Sequence, residues 1–383
     1  MSPGLQSRVA RKVALCPSIR LAHQELQRES VDLNVKAVRR IAYQCGESLL
    51  QLRRHQLLLW RSGELAPGDE LAGKRVSVQI DGGRTKIRGK AKEKAARREP
   101  LDADGLPVED CPGRSKRGSR RGYETDWREP KLVTIFVHDE TGKMAKQSKA
   151  TIDGTLLGPD AIAEITAMHL HRLGAAKAQR ISFVADGAPW IWDRIDRIVE
   201  LASLQEVPRT EILDCCHAVH HVSLALSSLG LSSEERLPLY RQHRTLLRNG
   251  QWRRVVEELS ELEAPDGPQN AKLATEIAYL RKHGEAGRLS YRRYRQQGLP
   301  IGSGAIESTI RRVVNMRLKS NATFWRSENA EAMLQIRAQV VTDRWDDRMV
   351  EVSTFRRHHV GTEWHWPPKR MSCKAEDSVS TAT

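Results

Sequence analysis

Two apolar runs of this chain stop on an aspartate, and a third acid opens a helical run. The runs are VSVQID, ending at Asp81, and ISFVAD, ending at Asp186; the third acid is Glu307 in LPIGSGAIES. In the first run Val76, Val78 and Ile80 alternate with Ser77, Gln79 and Asp81, the period-two pattern of a strand with one apolar face. The second is a short continuous apolar run, as expected of a buried strand. A strand that ends on an acid places a carboxylate at the sheet edge where α/β proteins keep their ligand sites. Each acid also has a plainer reading. Asp81 before Gly82 and Gly83 suits a turn, Asp186 suits a helix N-cap, and Glu307 suits a surface pair with Arg311. As a set, two strand-borne acids and one helix-borne acid can converge on two Mg2+ ions, with Mn2+ as a substitute.

The remaining runs predict how these acids are carried. Residues 131–137 (KLVTIFV) read as a strong strand, and residues 143–152 as a return strand. Residues 159–173 read as a helix closed by Gly174, and 211–214 (EILD) as a short strand ending on Asp214. The order β, β, β, α, β, α, β followed by helix predicts an α/β fold, a mixed sheet flanked by helices with an antiparallel hairpin at its front. From Ile306 the helical core face is Ile306, Ile310, Val313, Val314 and Leu318. Glu307, Arg311, Asn315 and Lys319 fall at successive fours, which predicts one polar stripe able to hold metal and phosphate together.

Residues 18–60 read as helical with a short break at 30–34, the shape of a helix-turn-helix. Lys36, Arg39 and Arg40 on the second helix can meet phosphates or base edges; an ordinary helical hairpin with a solvated charged face fits the same pattern. The chain divides into an N-terminal helical DNA-binding region (1–72), a first part of the core (73–216), a helical insertion (217–299), a second part of the core (300–352) and a disordered tail (353–383). Residues 84–128 form a polar insert with two basic clusters, read as a long loop or solvated arm.

Composition points to a polyanion. With 63 Lys+Arg against 48 Asp+Glu the formal charge is +15, which favours DNA or RNA over a merely soluble basic protein. No secretory signal and no membrane-length apolar run is legible, and six scattered cysteines without a C-x-x-C pair suit reduced thiols, so the expected location is cytoplasmic. Cys215, Cys216, His217, His220 and His221 invite a zinc reading, but adjacent cysteines cannot easily both ligate and no second pair has the spacing. No phosphate-binding G-x-x-x-x-G-K-[ST] loop occurs. Tyr240, Tyr279, Tyr291 and Tyr294 lie in basic helical segments, away from the acids, which disfavours a covalent tyrosine mechanism.

Taken in order, IDGGR, WREPK, ADGAPWIW, DCCH, LPIGSGAIES and MRLKSNATFW resemble bacterial insertion-sequence transposases of the DDE type. The resemblance is to the branch with a helical insertion before the final Glu, and it spans roughly residues 17–340. It implies an RNase H-like catalytic core, with Asp81, Asp186 and Glu307 as the catalytic, metal-holding acids. It implies that Asp214 and His217 form a supporting D-x-x-H element, and that Arg317, Lys319 and Trp325 belong to a DNA-contacting segment. Ser320 and Phe324 depart from the Gly and basic residue expected there. Trp325 is the tryptophan singled out for stacking on a base. The implied partners are double-stranded DNA, as element ends and target, and a second copy of the chain in a homodimer or larger assembly. Two other classes share these features: a non-cutting DNA-binding remnant, and an RNase H-like nuclease or resolvase.

Overall fold

Strands form where the apolar runs are. The computed structural model describes residues 2–90, 123–262, 267–319 and 323–359. Its strands are β1 (Arg75–Gly82), β2 (Thr85–Lys90), β3 (Tyr123–Arg128), β4 (Lys131–Val137), β5 (Thr151–Thr155), β6 (Arg180–Ala185) and β7 (Arg209–Leu213). Five of them make one mixed sheet in the order β5-β4-β1-β6-β7. β1, β4 and β5 run antiparallel to their neighbours, while β1, β6 and β7 are parallel. This is the α/β sheet with an antiparallel front that the order of runs predicts.

The helices are α1 (Pro3–Leu15), α2 (Ile19–Arg28), α3 (Val35–Arg61), α4 (Pro159–Arg172), α5 (Pro189–Trp192), α6 (Ile195–Leu201) and α7 (Cys215–Ser227). There follow α8 (Ser233–Arg248), α9 (Trp252–Ser260), α10 (Pro268–Glu285), α11 (Tyr291–Gln296), α12 (Gly304–Ile310), α13 (Ser327–Val341) and α14 (Trp345–His359). Among the described residues, no helix is long and apolar enough to cross a membrane.

The sheet has two unlike faces. Val76, Val78 and Ile80 join a core with Ile162, Ile165 and Ile198 from α4 and α6. Ser77 and Gln79, on the opposite face, are buried as well, because α12 lies across β1 and β4 on that side. Polar side chains tie this second layer. Gln79 donates to the Gly302 carbonyl (3.1 Å) and accepts from the Ile306 N–H (3.0 Å), and Thr134 and Thr309 hydroxyls lie 3.0 Å apart.

The N-terminal helices do not stand apart from the sheet. Val9, Val13, Leu26, Val38 and Ile41 share one apolar cluster with Ile306, Ile310, Val313, Met333 and Leu334. α3 and α13 approach so closely that a Cβ on Gly46 would lie 2.7 Å from that of Ala332. A buried polar clamp reinforces the contact. Arg53 of α3 meets Asp153 Oδ1 of β5 (2.9 Å), the Gly154 carbonyl (2.9 Å) and Glu331 Oε1 of α13 (2.9 Å).

Several sequence expectations are corrected. α1 precedes the predicted helical region. The return strand is confined to Thr151–Thr155, because the segment after β4 closes a turn in which Asp139 Oδ1 accepts from the Thr141 and Lys143 N–H groups. The ends of the basic insert form a two-stranded ribbon, β2–β3, rather than loop, because Ile87 is buried and bridges to Trp325. The rest of the insert lies outside the described residues. The start of the predicted tail is helical: α14 runs to His359, with Val352 packed near Trp345 and Leu49; residues beyond it are outside the described set. The polar stripe after Glu307 is broken, since Arg311–Asn315 is a π turn and Met316 N bonds back to the Arg311 carbonyl (3.0 Å). The wider turn rotates Asn315 and Lys319 off the Glu307 line.

Candidate functional site

Register aligns three acids. Gln79 is level with Val184 in the β1–β6 pair, and Ala185 with Leu213 in the β6–β7 pair. Carried on by one or two residues, this puts Asp81, Asp186 and Asp214 level at three adjacent parallel strand ends. Neighbouring strands are ~4.8 Å apart, so the three positions span about 10 Å. Two of these acids are held by their own turns. Asp81 Oδ1 accepts from the Gly82 N–H (2.6 Å), and Asp186 Oδ1 from the Ala188 N–H (3.0 Å). Gly187 follows Asp186 because a Cβ there would collide with the Tyr279 ring of α10.

Asp214 joins the sheet to α12. As the N-cap of α7, its Oδ1 accepts from the His217 N–H (2.7 Å) and faces His217 Nδ1 (3.2 Å). Its Oδ2 accepts from the Ser303 N–H (2.5 Å) and lies 2.9 Å from Ser303 Oγ. The same Oγ is 2.8 Å from Glu307 Oε1. A hydroxyl has one proton to donate, so Ser303 satisfies one carboxylate at a time. The other contact sets two oxygen acceptors face to face.

The electrostatics agree. Burial, then the neighbouring Asp186 carboxylate, push Asp81 up to about 7. Burial also opposes charge on Asp214, but hydrogen bonds from His217 and Ser303 hold it at about 2. His217 is raised by its bond to Asp214 and by the Asp186 and Glu307 charges. Among the described residues, one group of three could hold a metal ion: Asp214, His217 and Glu307, with ligand atoms within 4.8 Å of one another. Two carboxylates and an imidazole are a mixed oxygen–nitrogen set that suits a divalent ion. Asp81 and Asp186 lie beside this group, each near enough for its charge to be felt there. The donors therefore fit a cation. Glu307 is shared between the expected trio and this group, while Asp214 and His217 stand inside the group rather than merely in support.

The zinc-like cluster is dispersed. Cys215 is buried, Cys216 is exposed, and His221 Nδ1 meets Glu276 Oε2 (2.5 Å) while its ring stacks on Tyr279 at 3.5 Å.

The expected DNA-contacting residues separate into two sets. Lys36, Arg39 and Arg40 are exposed near the start of α3, and Arg311 and Lys319 are exposed beyond α12. Arg317 and Trp325 are buried, at 6% and 5% exposure. Trp325 extends the β2 ladder: its N–H donates to the Lys86 carbonyl (3.0 Å), and its carbonyl accepts from the Arg88 N–H (2.8 Å). The indole N–H is taken by the Leu318 carbonyl (3.0 Å), and Arg317 sits 5.2 Å from the ring. No ring face is left for a base. Sequence reasoning missed Ser303, although the G-S-G run before Glu307 carries the signal; it placed Gln79 on the Asp81 face without a role, and it set Tyr279 away from the acids, whereas Tyr279 packs against Gly187 beside Asp186. No family model, curated protein or solved structure compared with this chain matches it.

Proposed function

We propose that this chain is a DDE-type transposase with an RNase H-like core. It hydrolyses a phosphodiester at an element end, and the freed 3′-OH then attacks a phosphodiester of target DNA, joining the strands and displacing a target 3′-OH. The observation that carries the reading is the levelling of Asp81, Asp186 and Asp214 at three strand ends, with Glu307 bridged to Asp214 through Ser303. The mixed sheet order, with an antiparallel front and parallel strands behind β1, supports it. So does the charge of +15.

Asp81, Asp186 and Glu307 are assigned the Mg2+ or Mn2+ site, with Asp214 and His217 completing the donors on the Glu307 side. When bound, such ions supply Lewis-acid polarisation of the phosphoryl oxygen and a more acidic attacking water. The protein's own groups do the rest. Asp81 and Asp186 crowd negative charge that a cation relieves. Glu307, exposed at the mouth of the group, accepts the proton of the attacking water at a carboxylate oxygen. Ser303 and Gln79 fix the entry of α12, so the distance from Glu307 to the strand ends is set by buried hydrogen bonds. Arg311 and Lys319 neutralise flanking phosphates, and Lys36, Arg39 and Arg40 grip duplex DNA further out. A homodimer would pair two ends.

The test is end cleavage. The protein is mixed with a labelled duplex carrying the DNA that flanks its gene, in Mg2+ or in EDTA, with Asp186→Asn alongside. The expected result is Mg2+-dependent nicking that leaves a 3′-OH and is lost in the variant. Binding without cutting in both Mg2+ and Mn2+ refutes the reading and leaves a DNA-binding protein.

A further inference from the structure

A cavity of about 580 Å3 opens beside the acids, between α7, α8 and the turn at Ile301 and Gly302. Cys216, His220 and Ser223 of α7 line one side, and Tyr240, Arg244 and Arg248 of α8 line the other. Both sets follow helical spacing. Tyr240, Arg244 and Arg248 recur at fours, as one stripe, and the α7 residues fall on a single face opposite them. The volume lies within the ~300–1,000 Å3 usual for small-ligand sites. It is too small for a double helix, whose major groove alone is ~12 Å wide.

The lining is cationic and unneutralised. Arg244 and Arg248 are exposed, and among the described residues no carboxylate pairs with either guanidinium. Arg254, on the next helix, is by contrast paired with Glu258 at 2.7 Å. Two free guanidinium groups one turn apart suit the oxygens of a phosphate. Tyr240 is half-buried in the wall, and His220 and Ser223 bring hydrogen-bonding groups. Phosphate donors, an aromatic ring and polar edges together match a nucleotide.

The cavity shares a wall with the acids. Gly302 lines it, and a Cβ on Gly302 would lie 3.6 Å from Asp214 Oδ2. Cys216 lines it and precedes His217. The Cys216 thiol is raised, by burial first and then by Asp214 and Glu307, while Arg244 and Arg248 pull the other way. It sits where the acidic and basic fields meet.

We propose that this cavity binds one unpaired nucleotide of the DNA strand that continues from the phosphodiester at the acids. Its phosphate meets Arg244 and Arg248, its base lies against Tyr240, and His220 and Ser223 meet the base edge. The inference rests on the DNA-processing reading of the acids, and it adds a site for a single-stranded end beside them.

The test compares two duplexes of one sequence in binding assays at fixed salt, one blunt and one with a short unpaired 3′ thymidine extension. The extension is expected to tighten binding about tenfold, in line with base stacking on an aromatic side chain. It should also slow alkylation of Cys216 by N-ethylmaleimide, read by peptide mass mapping, whereas the blunt duplex should not. Arg244→Ala/Arg248→Ala should bind the two duplexes alike and leave Cys216 reactive. Tyr240→Phe should keep the preference and Tyr240→Ala should lose it. Equal binding of both duplexes by the native chain, with Cys216 alkylated at its unbound rate, overturns the nucleotide site and leaves the DNA reading standing. Failure to bind either duplex overturns the DNA reading itself and the cavity assignment with it.

Discussion

Arg53→Ala should cost this protein a large part of its stability. Asp153 is 1% exposed and ionised, with burial opposing its charge and Arg53 holding it well below the usual carboxylate range. Its carboxylate accepts from Arg53 (2.9 Å), Gln335 (2.5 Å) and His169 (2.8 Å). Removing Arg53 leaves a buried anion without its cation and takes one donor each from the Gly154 carbonyl and Glu331. Breaking a buried pair from one side costs about 3–5 kcal/mol. Arg53→Met and Asp153→Asn are then made singly and together; the double variant removes both charges and keeps most of the volume. Its loss should be smaller than the sum of the two single losses by about 1–3 kcal/mol, the coupling expected of residues in direct contact. Urea unfolding followed by circular dichroism at pH 7 gives the three values. Hydrogen exchange on α3 and α13 should rise together in Arg53→Ala. Strictly additive losses, with unchanged exchange in both helices, refute the claim that this clamp docks the N-terminal helices on the sheet.

Three further outcomes follow from the same geometry. His169 is fully buried and depressed from 6.5 to about 4, mainly by burial, so it is neutral and donates to Asp153. Below pH 6.5 the unfolded chain takes up a proton that the folded chain refuses, so stability falls between pH 6.5 and about 4, by on the order of 3 kcal/mol; a pH series of melting curves should show this, and His169→Gln should flatten it. Ser303→Ala removes the hydroxyl shared by Asp214 and Glu307 and should weaken Mn2+ binding by about 10–100-fold, measured by titration calorimetry, because it orients two donors of the group. Among the described residues the buried Tyr279 hydroxyl has no hydrogen-bond partner, so Tyr279→Phe should leave urea stability unchanged or raise it by up to about 1 kcal/mol; a loss beyond that range would show the hydroxyl to be bonded.

Local pattern carried much of the fold. β1 and β6 are legible because alternation and β-rich runs act within a strand, and the acids at their ends are legible with them. Asp214 was also readable as a strand end, but its rank as an equal of Asp81 and Asp186 depends on the β6–β7 register, which no single run contains. Ser303 was hidden for the same reason: its importance comes from contact with a residue 89 positions earlier. The β2–β3 ribbon could not be read from polar residues 84–128, because burial of Ile87 against Trp325 supplies the missing apolar face. The broken stripe after Glu307 shows the limit of counting by fours, since one π turn shifts everything downstream. Trp325 looked available because a tryptophan's burial is set by partners far along the chain.

Both outer margins of the sheet are partly closed by side chains and loops. At β7 the Leu213 N–H is taken by the Arg288 carbonyl, and the Leu213 carbonyl by the Tyr291 hydroxyl (3.0 Å). At β5 the Gly154 carbonyl is taken by Arg53 and Gln335, and the Ala150 carbonyl by Arg344. An exposed strand margin is a template for pairing with another chain, and here each is covered at one end. Among the described residues, these groups of β5 and β7 are already taken and are not offered to a strand of a second copy. Shortening the helical segment 217–299 past Arg288 would therefore uncover the Leu213 N–H and leave that end of β7 open to pairing with another strand.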